Sequence, residues 1–128
     1  MNSFSRRDVL TGALGSAAVL SIAGVPAFAR EAAQEITATP LADHILLVTG
    51  AGANVVAVRG PDGLLLIDGG LEDRSAALLR FVKKQLDSKR IHTLINTHWH
   101  PEQTGSNRRL GADGAKIIAH ENTKLWLT

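Results

Sequence analysis

The sequence predicts an α/β (α+β) domain, an antiparallel to mixed sheet with helices on its outside. Three observations predict it. Short apolar runs at close spacing fill residues 36–67, the pattern of an antiparallel meander. The hydrophobic period then turns helical over residues 74–87. Strand-like apolar runs return at residues 91–96 and 116–119, each after a helical or loop segment. A length of 128 residues allows one domain at most. The 45% hydrophobic and 20% charged content is that of an ordinary globular chain, which makes a packed core the default expectation.

Residues 1–29 are read separately. Ser5-Arg6-Arg7 precedes an apolar, Gly- and Ala-rich run from Leu10 to Val25, and Ala27-Phe28-Ala29 offers a small-residue cleavage site before Arg30. A basic region, an apolar region and such a site, in that order, read as a secretory signal peptide. The run falls short of the roughly 20 residues a spanning helix needs. The paired arginines after a serine resemble a twin-arginine export signal, with Val9 and Thr11 departing from the usual pattern. The resemblance implies a partner in the export machinery and a periplasmic or secreted destination. Residues 1–29 carry Arg6, Arg7 and Asp8, so the formal net charge of +2 falls to +1 without them. A near-neutral body gives no case for binding nucleic acid. The absence of cysteine excludes disulfides and thiolate metal sites.

In residues 30–128 the elements follow in order. Residues 36–39 form a weak strand ending at Pro40, and residues 45–49 a stronger one. Gly50-Ala51-Gly52-Ala53 is a turn; it lacks the third glycine and the following helix of a nucleotide loop. Residues 54–59 are the next strand. Gly60-Pro61-Asp62-Gly63 is a strong turn signal, because proline presets φ and glycine accepts positive φ. Leu64-Leu65-Leu66-Ile67 is apolar on both faces, as in a sheet covered on both sides. Leu79, Val82 and Leu86, widened by Leu78 and Phe81, form one stripe of a helix over residues 74–87, with Asp73 or Ser75 as its N-cap. Residues 91–96 read as a buried strand, residues 105–110 as a short helix and residues 116–119 as a last strand. Residues 121–128 begin another helix with no stop signal.

The chemistry concentrates in "INTHWHPEQTGSN", residues 95–107. His98 and His100 are two apart. On an extended segment they point the same way, so both ring nitrogens can reach one ion. They follow a strand end, where loops on a rigid sheet carry sites. By spacing alone the pair is either a metal site or two ordinary loop histidines. His44 and His92 are read as structural or solvent-facing, and His120 as structural.

Thr97-His98-Trp99-His100, followed by Thr104-Gly105 and Asn107, resembles the signature loop of the metallo-β-lactamase superfamily. "GANVVAV", "GLLLIDGG", the amphipathic helix and "IHTLINTHWH" follow in that family's order, and the resemblance covers the chain from about Ile36 onward. It implies the N-terminal half of an αββα sandwich and a metal-dependent hydrolase acting on a small-molecule ester, thioester, lactone or amide. It also implies zinc, one or two ions in a complete homologue. His98 and His100 match two ligands of the first metal. Glu102 stands where an aspartate binds the second metal and orients the attacking water, and Gln103 stands where a second-metal histidine is common. Asp68 matches the acidic residue that supports the site from behind, a role suited to a carboxylate that holds an imidazole's other N–H. Glu102 keeps a hard oxygen, whereas the neutral amide of Gln103 is a poorer ligand than imidazole, so the second metal is expected to be weak or missing. Histidine and carboxylate suit zinc, iron and manganese alike. The family's later ligands have no match here, so the expectation is a C-terminally truncated, inactive version. Such a chain would bare a sheet face rich in Leu and Val and self-associate through it. Its alternatives are a non-catalytic binding half-domain or a fragment without function.

Overall fold

The computed structural model describes residues 34–127, and the leader read at residues 1–29 lies outside them. Six strands and four helices follow one another: β1 (Thr37–Ala42), β2 (Ile45–Thr49), β3 (Val55–Gly60), β4 (Gly63–Ile67), α1 (Glu72–Gln85), β5 (Ile91–Asn96), α2 (Pro101–Thr104), α3 (Asn107–Ala112), β6 (Lys116–Ala119) and α4 (Glu121–Leu127). The sheet order is β1-β2-β3-β4-β5-β6. The first four strands pair antiparallel, as the tight turns dictate, and β4, β5 and β6 pair parallel. Parallel neighbours need a crossover, which α1 supplies between β4 and β5.

Strand alternation decides which side chains face α1. Leu46 and Val48 of β2, Val55 and Ala57 of β3, and Leu64 and Leu66 of β4 are buried, every second residue in each case. Leu94 of β5 joins them beneath Leu78, Leu79, Val82 and Leu86. The opposite sheet face was expected to stand bare. It is half-buried instead along its central strands. Leu47, Val56, Ile67 and Ile95 pair in register across four strands, so each apolar side chain shields its neighbours.

Several local expectations shift. Strand β1 does not end at Pro40 but runs through it with an irregularity before Ala42. It lies at the sheet edge, where a missing N–H costs least. Helix α1 begins at Glu72, and neither Asp73 nor Ser75 caps it; Leu71 holds the cap position in extended geometry with no side-chain bond. Glu72 and Asp73 instead place negative charge on the first turn, which complements the helix dipole. The helix stops at Gln85, and Asp87 takes a left-handed φ of 44° that turns the chain away. The one helix expected at residues 105–110 is two, α2 and α3. Pro101 starts α2 in the first turn, where its missing N–H is harmless.

Candidate metal centre

Parallel pairing sets three carboxyl ends side by side: Asp68 after β4, the Thr97–His100 segment after β5 and His120 after β6. In open sheets this is the end where ligands bind. Asp68 holds φ 64°, a left-handed conformation uncommon for a residue with a side chain. Its N–H still donates to the Ile95 carbonyl at 2.8 Å, so the turn begins only after the ladder is complete. The Asp68 carboxylate is buried and accepts the Thr97 N–H at 2.8 Å. Thr97 Oγ1 lies 3.0 and 2.8 Å from its two oxygens.

A carboxylate accepts and does not donate, so the Thr97 hydroxyl proton is committed to Asp68. Thr97 Oγ1 also lies 2.9 Å from His98 Nδ1. With its proton given away, that oxygen accepts, and Nδ1 carries the hydrogen. The His98 tautomer this favours leaves Nε2 with a free lone pair. The sequence reading had Asp68 grip an imidazole directly; the structure interposes Thr97. Sequence reasoning passed over this threonine, although its place between a strand end and a histidine was the available signal.

The imidazoles of His98 and His100 sit with centroids 4.7 Å apart and planes 71° apart. Two imidazoles on one tetrahedral zinc, at bonds of about 2.0–2.1 Å, would hold their centroids about 5 Å apart. The centroid spacing is close to that of two ligands on one ion. Both rings are exposed. Glu102 lies beside them, its Oε1 3.5 Å from His100 Nδ1. Gln103 goes inward: it is only 8% exposed, and its Oε1 is a buried acceptor with no donor. Among the described residues no three His, Cys, Asp or Glu side chains converge as a metal-holding group. Two imidazoles at this spacing would supply at most two coordination positions, and the others would fall to other ligands. His120 caps α4, its Nδ1 accepting the Asn122 N–H at 3.2 Å, and His92 Nδ1 lies 2.6 Å from Thr93 Oγ1.

The loop backbone is fixed from beneath. Buried Asn96 donates from Nδ2 to the Gln103 carbonyl at 3.0 Å and accepts from Asn107 Nδ2 at 2.8 Å. The Gly69 N–H donates to that same Gln103 carbonyl at 2.7 Å, and the Gly105 N–H to the Gly70 carbonyl at 3.0 Å. A Cβ on Gly105 would stand 2.3–2.4 Å from the backbone of Gly70, Leu71 and Glu72, so only glycine fits there. Ser106 Oγ donates to the Gly69 carbonyl and shares a 2.9 Å hydrogen bond with Ser75 Oγ. Ser75 is thus a buried tie between α1 and the loop rather than a cap.

Comparison with known proteins identifies the fold and the family. Residues 48–125 match the family model of the metallo-beta-lactamase superfamily. The 2,4-dinitroanisole O-demethylase subunit alpha of Nocardioides sp. (strain JS1661) is 30% identical over 122 residues, covering 88% of this chain and 37% of that protein. A subclass B3 metallo-beta-lactamase of Bradyrhizobium japonicum superposes with a TM-score of 0.64 at 26% identity, over 74% of this chain and 37% of that one. A metallo-beta-lactamase from Pontibacter korlensis gives 0.60 at 22% identity, over 71% of this chain and 46% of that one. The chain spans less than half the length of each of these relatives. Family match, sheet order and His loop agree, and this chain belongs to the metallo-beta-lactamase superfamily.

Proposed function

We propose that the chain carries the first-metal half of a metal-dependent hydrolase that cleaves an ester, thioester, lactone or amide of a small molecule. The observation that supports this most is the pair of exposed imidazoles, 4.7 Å apart, on a backbone pinned by Asp68, Asn96 and Gly70. His98 and His100 hold the ion in this reading. Zinc at such a site supplies an activated water near neutral pH and polarises a carbonyl. Asp68, through Thr97, keeps the hydrogen of His98 on Nδ1 and so keeps Nε2 available. Glu102, beside His100, would orient the attacking water and take up its proton. Water or a further ligand would complete the coordination. Export by the residues 1–29 leader belongs to the same proposal, and a mature N-terminus at Arg30, read by mass spectrometry, checks it.

The test is metal content beside activity. The full chain, dialysed against zinc-free buffer, is expected to retain one zinc and to hydrolyse a generic aryl ester. His98→Ala is expected to lose both. Zinc retained unchanged by His98→Ala would overturn the assignment.

A second reading, self-association, is favoured by one observation. The apolar row Leu47, Val56, Ile67 and Ile95 continues in register to Ile118 on the edge strand β6, where it is exposed. Apolar edge strands are templates for pairing with another chain. Sedimentation velocity is expected to show a dimer that Ile118→Lys converts to monomer; a monomeric wild type would remove this reading.

A further inference from the structure

Two buried side-chain oxygens, Gln103 Oε1 and Asn107 Oδ1, have no hydrogen-bond partner among the described residues. They stand one helical turn apart. Gln103 lies in α2 and Asn107 opens α3, and the backbone between the two helices stays helical: Gly105 holds φ −61° and ψ −22°, Ser106 φ −89° and ψ −4°. Residues four apart on such a backbone share a face. Asn96 shows which way that face turns. It ends β5, just before the His98–His100 segment, and it bonds to residues 103 and 107 both.

Turning an amide over does not mend Asn107. The Gln103 backbone carbonyl can only accept, so Asn96 must show it Nδ2, at 3.0 Å. Asn96 Oδ1 then faces Asn107, which must answer with Nδ2, at 2.8 Å. The Asn107 oxygen is thereby turned away from the one amide that could have served it. Other donors nearby are committed as well. The Gln103 and Thr104 N–H groups and Thr104 Oγ1 all donate to the His100 carbonyl, and the Gly69 N–H donates to the Gln103 carbonyl. A buried carbonyl oxygen left without a donor is costly, and one species that serves two of them removes the cost twice. Both oxygens are neutral amides. They suit a water or a monovalent cation better than a divalent ion, which takes carboxylates.

We infer that Gln103 Oε1 and Asn107 Oδ1 share one small bound species that offers positive charge to both at once, an alkali cation or a water donating both its hydrogens. It bridges the junction between α2 and α3 and makes the two short helices one support for the histidine segment. Gln103 is then a positioning residue rather than a ligand of the ion at His98 and His100. The bridge uses inward-facing groups only and stands without the hydrolase reading; its value for holding the two imidazoles rests on that reading.

The sign of one substitution decides the matter. Gln103→Met keeps the length of the side chain and removes its oxygen. A truly orphaned acceptor is better lost, so the Tm of the full chain would rise; a bridged one is missed, and the Tm is expected to fall by about 4–8 °C. In an Asn107→Ala background the bridge is already broken, and the same substitution is expected to cost less than half as much. Melting in potassium, sodium or choline chloride at equal ionic strength separates the two sources. A Tm that drops in choline, with the drop absent from Gln103→Met, identifies a cation. Equal Tm values in the three salts, with the Gln103→Met loss retained, identify a water. A further readout needs no variant: magnetic cross-relaxation to the Gln103 and Asn107 side-chain protons from bound water, or from ammonium used in place of potassium. A Tm that rises or stays level in Gln103→Met, full additivity with Asn107→Ala, or no cross-relaxation from either species would overturn the bridge. Zinc content and ester hydrolysis of the wild type keep the two readings apart. The bridge signature in a wild type that neither retains zinc nor hydrolyses sinks the hydrolase alone. A rise in Gln103→Met beside a wild type that does both sinks the bridge alone.

Discussion

Residues 98–100 and residues 103–107 lie in one connected segment, yet their side chains differ in where they face. His98, Trp99 and His100 are exposed, and their rings touch one another rather than the core. Gln103 and Ser106 are buried, and Gln103, Gly105, Ser106 and Asn107 are tied to the backbone or side chains of Asn96, Gly69, Gly70 and Ser75. The outward residues carry the chemistry and the inward ones carry its rigidity. This division explains why two exposed histidines hold one geometry: every polar support lies beneath them. It also locates two loose ends of the inward half: Gln103 Oε1 and Asn107 Oδ1 are buried acceptors without a donor.

The comparison breaks in graded steps. Gly105→Ala is expected to do most, because a Cβ would strike backbone at 2.3 Å; denaturant unfolding should show a loss of about 3 kcal/mol. Asn96→Ala removes a buried side chain that serves both the Gln103 carbonyl and Asn107, and should cost about 2 kcal/mol in the same measurement. Thr97→Val keeps the shape of the loop but breaks the link from Asp68 to His98. Zinc affinity, measured by chelator competition, should fall roughly 10- to 100-fold while the fold stays intact. Arg108→Ala deletes an exposed ion pair with Glu72 and should change stability by less than about 1 kcal/mol. An Arg108 effect as large as that of Asn96 would mean that the buried network is not what fixes the loop.

Much of the fold was legible in the sequence, and particular residues show why. The short apolar runs at residues 45–48, 55–58 and 64–67 marked the strands, and the pleat turns Leu46, Val48, Val55, Ala57, Leu64 and Leu66 into one buried face. Leu78, Leu79, Val82 and Leu86 gave the helix that covers it. Boundaries were less legible, because they depend on partners far along the chain. Ser75 has the composition of a cap, yet Ser106, 31 residues away, claims its hydroxyl. Pro40 has the composition of a strand end, yet its place at the sheet edge lets β1 continue. In the site, the spacing of His98 and His100 left a metal pair and two ordinary loop histidines both open, and the structure sets the two rings 4.7 Å apart. The role of Thr97 was not legible, since it depends on the left-handed turn at Asp68 that swings a carboxylate under residue 97. Nor was the Trp99–Trp126 stack, which needs the parallel pairing of β5 with β6 before α4 can reach the loop.

The central claim is that Asp68 and Thr97 preset His98 with its hydrogen on Nδ1 and its Nε2 open. The tautomer can be read directly from the imidazole nitrogen shifts of His98 in a long-range proton–nitrogen correlation spectrum of the metal-free chain. The account predicts a protonated Nδ1 and a bare Nε2 in the wild type, with that preference lost in Thr97→Val. A wild-type His98 carrying its hydrogen on Nε2, or a Thr97→Val spectrum identical to the wild type, would contradict it.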